Sequence, residues 1–508
     1  MAQAPLRPAL ILLVFLATTV AAIAERWLFG RAWHESHELT SAFYYGDAPR
    51  FVEYATAILQ RQTFDNGIPY HPPGWPLVLA AFLRLTGAVH GADITVPVGA
   101  VKLFIACLSG LTVGIAALLA YDIGGLAVML AVALVGPFHF GHIVEGTVAN
   151  SEALYGLMVV AGMWAAYRWL RDQSVRRLAW AALAGAIGGV TMLVRAEFLA
   201  CAIVLVVVPA WSRRALWWRE SALFLVVYCA ILVPTTVWHW RSLSAFNATH
   251  AGRVAGPLPR FAPVTSYGPF NFAMANHADA EGGPNRDHPM LDRCNEDATA
   301  GLSAGQLDLA CPAIYDLYIN GYALGLGWLA GHPIDAARLM TRKIGMSVGV
   351  LAQGYLIDSV GPDVDGERRR VDLVDPQRRW LMPIHGLLIV GGLVVLRRRP
   401  KALVVILAPV VALLGSTLLF YGYVRLGVPY LPSMWVLQGV AAAHGVSRVW
   451  GSRPATRTLV GLAIGMIALL LSYEAVRIDT PRAVVLDGAR TPSGALMQDE
   501  TLLIRRVR

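Results

Sequence analysis

Charged residues are scarce in this chain of 508 residues: Asp, Glu, Lys and Arg together make up 15%, against roughly 25% in an ordinary soluble domain. Hydrophobic residues account for 56%, which excludes an intrinsically disordered chain. The net charge of +9 comes from too few basic residues to build the dense basic surface of a nucleic-acid-binding domain. The composition therefore predicts a chain surrounded mostly by lipid, with no nucleic-acid partner.

Cysteine is also rare, and five residues are too few for a disulfide scaffold. Cys107, Cys201 and Cys229 lie in apolar runs, where they are expected to behave as small buried hydrophobic residues. Cys294 and Cys311 lie in one long polar loop. In an oxidising compartment they would pair as a disulfide, and otherwise they would remain two free thiols.

Long apolar runs are abundant, and a helix needs about 20 mostly apolar residues to cross a bilayer. Such runs predict membrane spans at residues 8–24, 97–120, 125–140, 147–167, 178–194, 196–210, 221–240, 381–396, 402–421, 428–448 and 457–473. Two further stretches, 313–331 and 337–357, either both span the membrane or include one re-entrant or surface helix. The sequence thus predicts an all-α polytopic membrane protein with about 11–13 transmembrane helices.

The first apolar run has two interpretations. Its end at Ala22-Ile23-Ala24 before Glu25 resembles the small-residue cleavage site of a signal peptide. We favour a retained first helix because many spans follow it. Both interpretations place the next segment on the same outer side of the membrane.

Lys and Arg indicate the orientation of the chain, because cytoplasmic loops are enriched in them. Four short basic clusters are therefore expected to be cytoplasmic: 168–177, 213–219, 397–401 and 448–457. The long loops then face outwards, which in a bacterial inner membrane is the periplasmic side.

This orientation divides the chain into four regions. Residues 1–240 are expected to form an N-terminal membrane module with surface helices in its first outer loop. Residues 241–380 would form an external loop or lid region, residues 381–475 the C-terminal transmembrane helices, and residues 476–508 a polar external tail. A loop as long as the second region is typical of a functional cover rather than a simple connection.

An amphipathic segment in the first outer loop begins at Asp47. Phe51, Tyr54, Ala55 and Ile58 recur at helical spacing after it, which predicts a helix lying in the membrane interface. Asp47 either caps this helix or performs chemistry at its exposed end.

A rigid turn follows at Tyr70-His71-Pro72-Pro73, because the two prolines fix the backbone before the next apolar helix. His71 is either an exposed turn residue or part of a site.

Two acids flank the outer end of the predicted span at 147–167. A carboxylate in or near a membrane helix is expensive and is therefore a functional candidate. Glu152 lies slightly inside the helix, where it either makes a structural hydrogen bond or takes part in chemistry. Glu145 is expected to lie nearer the water.

Two arginines lie near other predicted outer ends. Arg195 either pairs with Glu197 or serves a site, and Arg425 either extends to the water or binds a substrate. Arginine is the residue best suited to bidentate phosphate binding.

In chain order these features form a set of short motifs. They are D-x3-[YF]-x3-A at Asp47, Phe51 and Ala55, His71-Pro72-Pro73, Ser151-Glu152-Ala153-Leu154, Leu193-Val194-Arg195, the stretch from His332-Pro333 to Arg342-Lys343, and R-x3-P-x2-P at Arg425, Pro429 and Pro432. Together they resemble the GT-C superfamily of membrane glycosyltransferases. The nearest branches are the protein O-mannosyltransferases and the bacterial aminoarabinose and lipopolysaccharide-core glycosyltransferases.

The resemblance implies a GT-C-like bundle that transfers a hexosyl or pentosyl group from a polyprenyl-phosphate carrier. The acceptor would be a hydroxyl of a lipid, glycan or protein. Asp47 and Glu152 would be catalytic, and Arg425, Arg195 and His71 would bind the donor phosphate. Further residues would line the substrate pocket: Tyr45, Tyr70, Pro73, Glu145 and Tyr423.

Two departures from the family pattern affect donor and metal use. Many members carry a second acid beside the first, whereas here Gly46 and Ala48 flank Asp47, so a divalent metal stays open. Some members have Lys before the two prolines, where this chain has His71.

Two other classes of function remain. A transporter or flippase of lipid-linked sugars should show repeated halves or charges at mid-membrane, but the charges here concentrate at the outer face. An inactive scaffold of the same fold would bind polyprenyl lipid without transferring a sugar.

Overall fold

A computed structural model describes residues 8–36, 47–90, 93–211, 217–283, 288–291, 303–304, 307–353, 356–360, 370–374, 378–449, 497–498 and 501–504. Helices dominate these residues. They are α1 (Pro8–Ser36), α2 (Ala48–Leu59), α3 (Gly74–Leu85), α4 (Val98–Gly124), α5 (Leu126–Val135), α6 (Phe140–Glu145), α7 (Glu152–Arg171), α8 (Arg176–Val194), α9 (Phe198–Trp211), α10 (Trp217–Thr249), α11 (Gly268–Ala275), α12 (Pro312–Gly331), α13 (Pro333–Gln353), α14 (Arg378–Leu396), α15 (Pro400–Leu419), α16 (Val424–Gly427) and α17 (Leu431–Val449).

The strands are short and antiparallel. They are β1 (Val89–His90), β2 (Asp93–Pro97), β3 (Ser303–Ala304), β4 (Leu307–Asp308), β5 (Leu356–Val360), β6 (Arg370–Val374), β7 (Met497–Gln498) and β8 (Thr501–Ile504). One sheet has the order β1-β2-β8-β7, and β3-β4 and β5-β6 form separate hairpins.

The chain is an all-α polytopic membrane protein, as its composition predicts. Among the described residues, five helices are long and apolar enough to cross a bilayer: Pro8–Arg31, Val98–Gly124, Arg176–Val194, Trp217–Thr249 and Pro400–Leu419. The helices α12 and α13 are not among these five, but neither are α7, α14 and α17, which overlap predicted spans, so this comparison does not decide between 11 and 13 spans. The total stays a prediction, and the expected span at 457–473 lies outside the described residues.

Two helices are longer than their apolar runs predict. Helix α1 continues to Ser36 rather than ending near residue 24, because Arg26 is fully buried and its Nε donates to Ser109 Oγ at 2.6 Å. Helix α10 continues to Thr249, beyond the end at residue 240 that its apolar run predicts. Near the end of α10, Asn247 exchanges two hydrogen bonds with the backbone of Leu258, each 2.8 Å long.

The cysteines follow the sequence prediction only in part. Cys201 is buried as expected, but Cys107 is half-buried and Cys229 is exposed, where a membrane helix meets lipid. Cys311 is disulfide-bonded, and its candidate partner Cys294 lies outside the described residues.

The surface helices of the first outer loop pack into the membrane bundle. The face predicted for α2 is buried at Phe51 and Ala55, and α3 buries Trp75 and Leu79 in the same apolar cluster. Trp75 Nε1 also donates to the carbonyl oxygen of Ala149 at 2.9 Å. This bond fixes the start of α3 against the turn that precedes α7.

Arg26 positions the other side of that turn from within the bundle. Its guanidinium donates to the carbonyl oxygen of Pro137 at 3.0 Å and lies 2.6 Å from Nδ1 of His142 on α6. Because the chain between α6 and α7 is held by Arg26 on one side and Trp75 on the other, its position is closely constrained.

Gly74 marks the closest approach between the His71-Pro72-Pro73 turn and α8. A Cβ atom at this position would lie 2.7 Å from the carbonyl carbon and oxygen of Leu193 and 2.8 Å from the amide nitrogen of Val194. Only glycine fits, because backbone atoms cannot move aside as a flexible side chain would.

We expect Gly74→Ala to lower the free energy of unfolding by about 1–3 kcal/mol through overpacking. Thermal unfolding in detergent would measure the loss. The control is Gly331→Ala at the end of α12, where an added Cβ meets nothing within 4 Å. Equal unfolding midpoints for the two variants would contradict the close approach.

Candidate active site

Asp47 stands at the N-terminus of α2 but does not cap it with its side chain. Its Oδ2 instead accepts a hydrogen bond from Arg425 Nη2 at 2.7 Å. The side chain keeps 48% of its surface exposed, while that of Arg425 keeps 9%. The acid at the first surface helix and the arginine of the late outer turn are therefore direct partners.

Glu152 is the first residue of α7, and its side chain is 1% exposed. Its Oε1 accepts a hydrogen bond from Arg195 Nη1 at 2.6 Å and forms an ion pair with Arg425 Nε at 2.9 Å. A buried carboxylate is tolerated when such partners neutralise it. Its second oxygen, Oε2, is buried and has no hydrogen-bond partner among the residues described.

Arg195 lies between α8 and α9 in extended backbone and serves two acids. It binds Glu152 and also Glu197, whose Oε1 lies 2.6 Å from Nη2. Its guanidinium lies 5.6 Å from the ring centroid of Tyr155, which suits a cation–π contact. Of the two interpretations of Arg195, the pair with Glu197 is present, and the second pair with Glu152 is compatible with a role in a site.

Arg425 joins the two acids from the short helix α16. Its guanidinium lies 5.4 Å from the ring centroid of Tyr423 and donates to the Tyr423 hydroxyl at 3.3 Å. It is held inside the protein by Asp47 and Glu152 rather than extended towards water. Residues from four distant parts of the chain thus meet in one ionic cluster: Asp47, Glu152, Arg195 and Arg425.

The charges in this cluster favour each other's ionised forms. Burial would raise the pKa of Asp47, but the positive charge of Arg425, with His71 and Arg195, holds that pKa below its ordinary value. Burial would lower the pKa of Arg425, but Glu152, Tyr423 and Asp47 raise it well above its ordinary value. The site therefore contains a permanent cation beside an ionised carboxylate.

His71 is surrounded by aromatic rings. Its ring centroid lies 5.5 Å from that of Phe51 and 4.9 Å from that of Tyr70. Burial lowers the pKa of His71 to about 4, with Arg50 adding to the shift and Asp47 opposing it. His71 is thus neutral at neutral pH and would contact a phosphate by hydrogen bonding, not as a fixed cation.

Other predicted pocket residues differ in their placement. Glu145 ends α6 with 1% exposure, so the expectation that it lies near water is wrong. Its charge helps to raise the pKa of Arg425. Pro73 is buried immediately before α3, and Tyr45 lies outside the described residues.

Tyr267 is a neighbour of the site that sequence reasoning missed. Its ring stacks on Tyr70 with centroids 4.7 Å apart. Burial raises its pKa, and the charges of Arg195 and Asp47 also act on it. Tyr267 lies far from Tyr70 along the chain, and no spacing pattern connects the two residues.

The cluster does not fit a divalent metal. Within the described part of the chain, no group of three or more His, Cys, Asp or Glu side chains could hold a metal ion. Asp47 Oδ2 and Glu152 Oε1 are instead engaged by arginine.

Comparison with solved structures finds proteins of similar fold. No protein-family model and no curated protein matches the chain by sequence. The structure is similar to the oligosaccharyltransferase of Archaeoglobus fulgidus in its apo form, with a TM-score of 0.50, 12% identity, and coverage of 92% of this chain and 55% of that chain. This chain therefore spans about half the length of that enzyme.

Two further solved structures are similar at lower scores. AglB from Archaeoglobus fulgidus, in complex with an inhibitory peptide and a dolichol-phosphate, has a TM-score of 0.48 and 13% identity over 92% of this chain and 55% of that chain. ArnT from Cupriavidus metallidurans, bound to undecaprenyl phosphate, has a TM-score of 0.35 and 14% identity over 87% and 79%. The similarity that reaches a TM-score of 0.50, to the oligosaccharyltransferase in its apo form, concerns the fold alone.

The pKa of His71 predicts how acid affects stability. The unfolded chain gains a proton on this residue near pH 6.5, whereas the folded protein gains it only near pH 4. The contribution of neutral His71 to stability is therefore fully present above pH 6.5 and is lost as the pH falls from about 6.5 to about 4.

We expect His71→Asn to flatten this part of the stability profile, measured by thermal unfolding in detergent at a series of pH values. His332→Asn, at an exposed position after α12, serves as the control and should keep the wild-type slope. An unchanged slope in His71→Asn would show that His71 does not titrate as described.

Proposed function

We propose that this protein is a membrane glycosyltransferase, which moves a sugar from a polyprenyl-phosphate carrier to an acceptor hydroxyl at the outer face of the membrane. The observation that carries the proposal is the bridge from Asp47 through Arg425 to Glu152. It places a partly exposed carboxylate and a fixed guanidinium side by side. The motif resemblance and the shared fold support the same class.

Arg425 is suited to the phosphate of the donor. Its planar guanidinium can form two parallel bonds to phosphate oxygens, and its charge is permanent because the surrounding acids stabilise it. Phosphate would compete with Asp47 for Nη2. Arg195 supplies a second positive charge close by.

Asp47 is suited to act as the general base. In the proposed step the acceptor hydroxyl attacks the anomeric carbon and its proton passes to the Asp47 carboxylate. A new carbon–oxygen bond forms while the bond between the anomeric carbon and the phosphate oxygen breaks. The leaving polyprenyl phosphate takes that electron pair, and Arg425 stabilises the added charge.

Glu152 acts as a positioning residue in this proposal. Its Oε1 receives both Arg195 and Arg425 and its side chain is almost fully buried. That oxygen is therefore used to hold the two cations. A divalent metal has no step here, because the described side chains do not form a ligand set for one.

The partners follow from the same geometry and from the motif resemblance. The donor is a polyprenyl-phosphate sugar, and the acceptor is a lipid, glycan or protein with a free hydroxyl. The basic loops predicted for the opposite side support a site that faces the periplasm of a bacterial inner membrane. The region 241–380 would cover the site, which the stacking of Tyr267 on Tyr70 supports.

A transporter is the second candidate, because Arg26 places a charge inside the membrane bundle. Its guanidinium, however, is bonded to Ser109, Ala22, Pro137 and His142. These bonds give Arg26 a structural role, and they favour the transferase over the transporter or an inactive scaffold.

We expect Asp47→Asn to lower sugar transfer by about 10²–10⁴-fold, because the amide cannot accept the proton. Membranes would be assayed for transfer from undecaprenyl-phosphate sugars, with insertion checked by immunoblotting. The control is Glu53→Gln on the same helix, which pairs with Arg50 at 2.9 Å and should keep wild-type transfer. Full activity in Asp47→Asn would remove Asp47 from the mechanism.

We expect Arg425→Ala to raise the donor KM by about tenfold or more, because a charge-assisted bond to phosphate is lost. Turnover at saturating donor should fall as well. Arg338→Ala is the control, since its pair with Asp335 is exposed on α13. A donor KM equal to that of the wild type would show that Arg425 does not contact the phosphate.

A further inference from the structure

The turn between α6 and α7 contains a buried side chain that the proposed mechanism does not use. Asn150 is 0% exposed. Neither its amide nitrogen nor its amide oxygen has a hydrogen-bond partner within the described structure. A carboxamide can make up to four hydrogen bonds, and burying one without any costs stability.

The turn is held so that Asn150 cannot easily find a partner by moving. The neighbouring carbonyl of Ala149 is bound by Trp75. On the other side a Cβ on Gly146 would lie 2.5 Å from Ser109 Oγ and 2.9 Å from Arg26 Cδ, so the backbone is packed tightly there. The packing therefore holds the Asn150 amide where it has no partner among the described residues.

A second unpaired group lies two residues further along. Glu152 uses Oε1 for the two arginines, but its Oε2 is buried without a partner in the part of the chain that the structure describes. The same short stretch thus offers one carboxylate acceptor and one amide that both donates and accepts. That is a complementary set for a hydroxyl group, which also donates and accepts.

The surrounding charge decides between a hydroxyl and a phosphate. Glu145 and Glu152, both almost fully buried, flank Asn150 along the chain. Arg195 and Arg425 already neutralise Glu152, and Arg425 offers a phosphate its own partner, so the unpaired Glu152 Oε2 is left to accept the proton of a neutral hydroxyl. On this basis the phosphate of the donor would bind Arg425, and its neutral sugar ring would bind Asn150.

We propose that Asn150 is a sugar-binding residue whose amide bonds a ring hydroxyl of the transferred sugar, with Glu152 Oε2 accepting the proton of that hydroxyl. This inference rests on the proposed function, since it assigns the sugar subsite of the same active site.

The experiment uses the full chain with Asn150→Ala and the bulkier Asn150→Val. Thermal unfolding is measured without ligand, with undecaprenyl phosphate, and with undecaprenyl-phosphate hexoses and pentoses. In the wild type, at least one of the undecaprenyl-phosphate sugars should raise the unfolding midpoint more than undecaprenyl phosphate does. We expect both variants to lose this increment and to keep the shift caused by undecaprenyl phosphate.

The ligand-free midpoint separates substrate binding from a structural role. Removing an unpaired buried amide should leave the midpoint unchanged or raise it by about 1–3 °C in at least one variant. The matched control is Asn247→Ala, because Asn247 uses both ends of its amide on Leu258. That variant should unfold at a lower temperature and keep the sugar-dependent increment.

Transfer assays complete the design. We expect kcat/KM for the sugar donor to fall about tenfold or more in the Asn150 variants, as loss of a hydrogen bond to substrate predicts. A lower ligand-free midpoint in both variants would assign Asn150 to an internal water or structural bond and overturn the inference. A retained sugar increment, or none in the wild type with any of these lipids, would overturn it as well.

The two proposals fail in different ways. Suppose that the wild type shows the sugar increment and that Asn150→Ala loses it. If the wild type nevertheless transfers no sugar, the transferase is refuted and the subsite is kept. If the wild type and Asn150→Ala transfer sugar equally well, the subsite is refuted and the transferase is kept.

Discussion

A buried carboxylate between two guanidinium groups organises the charged cluster at the start of α7. Glu152 is almost fully buried, and a lone charge there would be strongly destabilising. Arg195 and Arg425 neutralise it, which draws the end of α8 and the short helix α16 to the start of α7. Because Arg425 also binds Asp47, the same pairing fixes the first surface helix to the bundle.

The apolar framework holds these charges at one place. Trp75 bonds the turn before α7, Gly74 lets α3 lie directly on the backbone before Arg195, and Arg26 supports the turn from inside the bundle. Each contact joins segments that are distant in sequence. Packing therefore supports the ionic cluster by holding the segments that carry its charges together.

Local patterns in the sequence predicted most of the helices and the separate candidates. The spacing of Phe51 and Ala55 revealed the buried face of α2, and the cost of an acid in a membrane helix drew attention to Glu152. The partners were not predictable, because each depends on tertiary contacts. For the same reason the burial of Glu145, the extension of α1 past Arg26 and the position of Tyr267 were missed.

The shared use of Arg425 has a consequence for the proposed reaction. While Arg425 binds Asp47, the pKa of that carboxyl stays low and it is a weak base. A donor phosphate that takes over the guanidinium would remove this stabilisation, so the pKa of Asp47 would rise and its basicity with it. The acceptor hydroxyl would then be deprotonated only when a donor is present. In the proposed reaction, Arg425 would thus make binding of the donor precede proton transfer to Asp47.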